Sequence, residues 1–166
     1  MEWLEARTSR SSRTLSRFPT IYHVEMAVQL GFHLNPQWQG SRKFPLGETY
    51  DAYMRADLKV TSSPALDPLV FGRNVAKGLF EGRIVLQVVG VVDAASDPEK
   101  EVEKSRRCLK LRLSDGHTDI QAIEQSPLSD VSNLVSGAKV LLIGPLLVRN
   151  GLALVGASNV MVMSSA

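Results

Sequence analysis

A chain of 166 residues, 44% hydrophobic and 22% charged, has room for one good core with an appendage, or for two small domains. No apolar run approaches the roughly 18 residues a membrane helix needs, and the single cysteine, Cys108, excludes an internal disulfide framework and fits a reducing compartment. A net charge of +2 is too small to argue for a nucleic-acid partner by itself, and residues 81–166 hold only 9 Lys/Arg against 10 Asp/Glu.

In chain order, Met1 to Ala6 can begin a helix, and Arg7 to Arg17 is Ser- and Arg-rich. That segment reads as mobile; a mitochondrial transit peptide is the competing reading, with Glu2 and Glu5 against it. Ile21, Val24, Ala27, Val28 and Leu30 fall close to helical spacing. Asn35 to Gly47, with two prolines and two glycines, reads as a loop. Tyr50, Tyr53, Met54 and Leu58 form one stripe of an amphipathic helix. Leu66 to Leu79 reads either as a short helix opened by Asp67-Pro68 or as an extended connector.

From Gly82 the pattern becomes β. Arg83 to Val92 is a run of Val, Ile and Leu suited to a largely buried strand. Asp93 to Arg107 is a long charged loop with no core residue beyond Val102. Leu109, Leu111 and Leu113 then alternate with Lys110, Arg112 and Ser114. With Asp115-Gly116 as a two-residue turn, Leu113 faces Thr118, Leu111 faces Ile120, Leu109 faces Ala122, and Arg112 faces Asp119. Pro127 to Ser136 resembles one helical turn. Lys139 to Val148 is a strand interrupted by Gly144-Pro145, Asn150-Gly151 is a hairpin turn, and Leu152 to Met163 is the closing strand.

This predicts a mainly β fold with an α-helical N-terminal region and a five-stranded OB-fold barrel. Residues 1–47 are expected to be partly disordered or helical, 48–80 to form a helical segment packing on the barrel, and 81–163 to form the OB-fold domain. An OB-fold that binds single strands needs aromatic platforms and a basic groove. Residues 81–166 contain no Phe, Tyr or Trp, so a protein-binding barrel is the better reading. A single-stranded nucleic-acid-binding module is the alternative, with Arg7, Arg10, Arg13 and Arg17 as phosphate contacts. His23, His33 and His117 are scattered, Cys108 has no nearby base, and Gly137-Ala-Lys139 lacks the rest of a phosphate-loop pattern. No catalytic residue, cofactor or metal site is expected, and Lys139 by itself reads as a solvated strand start.

The stretch Leu109-Lys-Leu-Arg-Leu-Ser-Asp-Gly116, then Ala122-Ile-Glu124, Gly137-Ala-Lys-Val-Leu-Leu-Ile-Gly144, Asn150-Gly-Leu-Ala-Leu154 and Asn159-Val, resembles the N-terminal region of the RecQ-mediated genome instability protein 1 family. Tyr50 to Leu58 resembles the aromatic helix before that family's barrel, and Trp3-Leu-Glu-Ala6 its first helix. The resemblance implies a non-enzymatic scaffold of the nucleus. It would join a type IA topoisomerase (topoisomerase III) to a RecQ-family helicase and promote double Holliday junction dissolution, with weak or indirect DNA binding and no membrane. It also implies that the loop between the first two barrel strands reaches the topoisomerase gate. Here that loop offers Asp93, Asp97, Pro98, Glu99, Lys100, Glu103, Lys104, Arg106 and Arg107 as partner contacts, and Lys139 stands where the family has the lysine of a Gly-Thr-Lys motif. The loop is shorter than in animal members. The Gly-Gly-Glu-Val motif and second OB-fold of the family are missing from the sequence, as expected of a fragment or a reduced form. A Tudor-domain-containing relative that partners topoisomerase III beta shares the barrel and a short loop; the sequence holds no Tudor domain, and Trp3 to Ala6 favours the first family.

Overall fold

The computed structural model describes residues 27–40, 42, 44, 47–95 and 107–164. The segments read above as a first helix, a mobile Ser/Arg stretch and the helical residues 21–26 lie outside them, as does most of the charged loop.

Helices come first and are short. Ala27 to Gln29 is helical, followed by α1 (Pro36–Gln39), α2 (Gly47–Arg55), α3 (Leu58–Thr61) and α4 (Pro68–Phe71). Three of them start in the same way: Asn35, Asp57 and Asp67 each accept the N–H two residues on with a side-chain oxygen, which satisfies one of the donors a helix start leaves unpaired. These caps correct two expectations. The stretch from Asn35 contains a helical turn rather than only loop. The tyrosine stripe is broken before Leu58, because Asp57 is extended and opens a new helix.

Among the described residues the rest is a single sheet of eight strands in the order β1-β6-β7-β4-β3-β2-β5-β8, with one 3-10 turn at Val131–Asn133 inside the expected helical turn of 127–136. The strands are β1 (Gly78–Phe80), β2 (Arg83–Asp93), β3 (Leu109–Ser114), β4 (Asp119–Glu124), β5 (Lys139–Ile143), β6 (Leu146–Arg149), β7 (Leu152–Val155) and β8 (Val160–Ser164). All neighbours are antiparallel except β4 and β7. The five-strand barrel is therefore corrected: the sheet has eight strands, and β1 and β8 at the two ends of the order do not pair, so it is not closed; the mainly β character stands. Gly144-Pro145 splits one predicted strand into β5, on β2, and β6, on β7, since proline has no N–H to give a ladder. The bend at Gly156–Asn159 splits the last strand into β7 and β8, and β1 arises in the ambiguous connector.

The central hairpin keeps its faces and shifts its register. Leu113 pairs with Ile120, Leu111 with Ala122 and Ser114 with Asp119. The turn spans Asp115 to Thr118, because Asp115 folds its own carboxylate onto the N–H groups of His117 and Thr118 at 2.8 and 2.7 Å. Only Gly116 there has a positive φ, +94°. The offset of two residues leaves every leucine on the same face, so Leu109, Leu111 and Leu113 are buried as expected. Arg112 and Asp119 still pair, diagonally, at 2.6 Å. The Asn150-Gly151 turn forms as read, with both φ angles positive.

Two clusters make the core. The larger joins Ile84, Leu86, Val88, the hairpin leucines, Val140, Leu142, Val148, Ala153 and Val155 inside the curved sheet. The second lies outside it, where Phe32, Phe44, Tyr53 and Leu58 pack on Val85 of β2 and Leu141 of β5. Its rings meet edge-on, with centroids 4.8 Å apart for Phe32–Phe44 and 5.3 Å for Phe32–Tyr53, a geometry that adds to burial. The Tyr53 hydroxyl is 3.0 Å from Ser62 Oγ, and burial pushes its pKa up to about 12. The helical layer thus supplies the aromatic core that residues 81–166 lack.

The layer meets the hairpin at Gly116. A Cβ there would lie 2.5 Å from Leu58 C and from Lys59 N, so both the left-handed φ and the close approach of α3 require glycine. Gly116→Ala is expected to cost about 2 kcal/mol, read as a lower urea midpoint. An unchanged midpoint would mean that α3 does not sit on this turn.

Candidate partner-docking loop and its stem

β2 ends at Asp93 and β3 begins at Leu109; between them runs the charged loop. Its two ends are fastened by side chains. The Asp93 carboxylate accepts the N–H groups of Ala95 and Cys108, both at 3.0 Å, and Ala94 N–H donates to the Cys108 carbonyl at 2.7 Å. Arg107 grips Glu124 with two donors, Nη2 to Oε1 at 2.6 Å and Nε to Oε2 at 3.3 Å. Such a forked contact fixes direction as well as distance. Arg107 Nη2 also donates to the Leu128 carbonyl at 3.3 Å.

Glu124 is the centre of the stem. Its side chain is 4% exposed, against 37% for Arg107. It accepts the Leu109 N–H at 2.9 Å and the Leu128 N–H at 2.8 Å as well. Burial pulls its carboxyl pKa up, but the Arg107 hydrogen bond and the two N–H donors outweigh that and hold it below its ordinary value. The carboxylate therefore stays charged and keeps its grip at neutral pH. Sequence reasoning missed Glu124. The signal was its position: Ile120, Ala122 and Glu124 share one phase of β4, and a charge on the buried phase of a strand needs partners.

Of the predicted partner contacts, Asp93 and Arg107 stand at the stem. Asp97, Pro98, Glu99, Lys100, Glu103, Lys104 and Arg106 lie outside the described residues. Lys139 is elsewhere and is not a solvated strand start: it is 2% exposed. It follows the outward phase of β5, but there the outside is covered by the helical layer. Its Nζ donates to the carbonyls of Met54 at 2.9 Å and Ala56 at 2.6 Å. Those carbonyls lie at the C-terminal end of α2, where acceptors go unpaired and the helix dipole is negative. Burial lowers the Lys139 pKa, with the Asp57 charge opposing it.

A second buried carboxylate organises the far end of the hairpin. Asp115, 1% exposed, accepts four backbone N–H groups: His117 and Thr118 on Oδ1, and Ala65 and Leu66 on Oδ2 at 2.8 and 3.0 Å. Burial pulls its pKa up and the four donors more than reverse this, leaving it below the usual range. Nearby, His117 Nε2 lies 2.9 Å from the Ser62 carbonyl, so that nitrogen carries the proton. Burial lowers the pKa of His33, with Asp115 opposing. Asp115 and His117 thus fasten the 62–66 connector to the hairpin. A surface depression of about 290 Å³ is lined by Asp57, Lys59, Gln87 and Ser136 among others. No cluster of three or more His, Cys, Asp or Glu that could hold a metal occurs among the described residues.

Comparison with known proteins bears on the sheet domain. Residues 72–165 match the family model described as RMI1, N-terminal OB-fold domain. The chain is 35% identical over 113 residues to Tudor domain-containing protein 3 of Xenopus tropicalis, covering 66% of this chain and 16% of that protein. It is 38% identical over 85 residues to the Danio rerio protein of the same name, covering 50% and 12%. The chain thus spans only a small part of the length of these relatives. Among solved structures it is similar to the Ifi202 HINa domain in complex with 20bp dsDNA, at a TM-score of 0.38 and 9% identity, covering 54% of this chain and 43% of that one.

Proposed function

The chain belongs to the family of the RMI1 N-terminal OB-fold domain, and on that premise we propose that it is a non-enzymatic scaffold subunit that docks on topoisomerase III. In this reading it also engages a RecQ-family helicase and works in the nucleus, where the assembly dissolves double Holliday junctions during DNA repair and recombination. The observation that carries the reading is the stem of the β2–β3 loop. A loop whose ends are held by Asp93 and by the Arg107–Glu124 fork leaves the sheet in a fixed direction, which suits a segment that must enter a partner. The lack of any aromatic residue in 81–166 also favours a protein partner over stacked bases.

A pull-down with purified topoisomerase III tests it. The intact chain is expected to bind, and binding is expected to fall about tenfold or more when 96–106 is replaced by a Gly/Ser linker. Arg107→Ala is expected to weaken binding less, because it loosens the stem without removing the loop, and to lower thermal stability as well, because the buried Glu124 carboxylate loses its cation. Absence of binding by the intact chain, or full binding without the loop, would overturn the reading. Binding only to single-stranded oligonucleotides, falling steeply with salt, would favour a nucleic-acid module instead.

A further inference from the structure

The helical layer covers the outside of β5 and the first half of β2. The outside of β1, β6, β7 and β4 differs. Leu79 is 55% exposed on β1 and pairs with the half-buried Leu147 of β6. Continuing the β6–β7 register places Leu147 beside Leu154, which pairs with Ile123 of β4; both are half-buried. Inward neighbours Val148, Ala153 and Ala122 are fully buried, so the four larger residues point outward. They make one apolar row across four neighbouring strands, about 14 Å at the usual strand spacing.

A cationic row runs beside it. One step beyond the Gly78–Val148 pair, Lys77 comes opposite Arg149, and both are exposed. Arg73, also exposed, adds a third cation, its backbone lying against Gly151 of the β6–β7 turn. None of the three is in either ion pair found among the described residues. Surface cations are common, but an apolar row and unpaired cations two residues apart on the same strands is the pattern of a docking face.

We propose that this face binds a short acidic, aliphatic segment of a partner protein. Its Leu or Ile side chains would lie on Leu79, Leu147, Leu154 and Ile123, and its carboxylates on Lys77 and Arg149. Charge complementarity selects the acid, and the row matches the width of one helix or one extended segment. A nucleic-acid backbone would use the cations and leave the leucines unused, and no aromatic residue is present to stack bases. The face is centred on β1, β6 and β7, whereas the loop of the proposed function springs from β2 and β3; the inference does not rest on that loop.

The test is a random peptide library panned on the full chain, followed by anisotropy with the selected peptides, labelled. Selected peptides are expected to be rich in Asp or Glu and Leu or Ile. Their affinity is expected to fall about tenfold in Lys77→Glu with Arg149→Glu, and likewise in Leu147→Ser, with unchanged melting curves. The loop replacement at 96–106 should leave it intact, so loss of topoisomerase binding and loss of peptide binding are read separately. Peptides without acidic bias, or affinity that survives both variants, would overturn the proposal. So would tighter binding at this face by a single-stranded oligonucleotide, by anionic vesicles or by a second copy of the chain.

Discussion

Replacing Asp115 with Asn is expected to lower the unfolding free energy by about 3 kcal/mol. The wild-type carboxylate accepts four backbone N–H groups, two on each oxygen. An amide can accept on one atom only, so its NH2 would face two donors in a site that is 1% exposed. The loss would be felt in two places at once: the hairpin turn would loosen and the connector at Ala65-Leu66 would come free. The same geometry sets a pH dependence. The folded pKa of Asp115 is depressed, so its contribution is fully present above the unfolded value and is lost as pH falls through the folded one. Wild-type stability should therefore drop below about pH 4, and Asp115→Asn should flatten that part of the profile. Urea unfolding at a series of pH values checks both. A loss under about 1 kcal/mol at neutral pH would show that the four donors find water instead.

Lys139→Ala is expected to cost about 3 kcal/mol or more, from two unpaired carbonyls plus a cavity. Lys139→Met, which refills most of the volume, isolates the first part and should cost about 2 kcal/mol. Both act where α2 joins the sheet. Trp38 packs within that layer, 5.9 Å from Tyr53, so tryptophan fluorescence should unfold at lower urea than the β signal in circular dichroism. Coincident, unshifted transitions would sink this account. The consequence for binding experiments is direct. A loss of partner affinity on substituting Lys139 reports on the seating of the helices before it reports on a contact.

The legible part of this fold was the part in which period and burial agree. Leu109, Leu111, Leu113, Ile120 and Ala122 alternate, and they fill the core. Asn150-Gly151 needs positive φ twice and obtains it. What sequence reasoning missed were charged residues on the buried phase. Asp115 continues the phase of the three leucines, Glu124 that of Ile120 and Ala122, and each spends its charge on internal donors rather than on water: backbone N–H groups for both, and Arg107 as well for Glu124. Lys139 failed differently: it read as a solvated strand start, but the layer that covers it is distant in sequence, and periodicity carries no information about distant cover. The same cover makes both phases of β2 apolar from Ile84 to Leu86. The loop residues 96–106 were singled out by charge, length and the family resemblance, and only their anchors, Asp93 and Arg107, have a described geometry.

The way the β2–β3 stem is closed bears on how this fold can vary. Its ends are joined by side chains of Asp93, Arg107 and Glu124 rather than by the conformation of a tight turn. Nothing in that closure depends on how many residues lie between. Doubling such a segment adds only about 0.6 kcal/mol of closure entropy. The stem is thus an insertion port: the segment between its anchors can lengthen or shorten while strand register and core stay as they are.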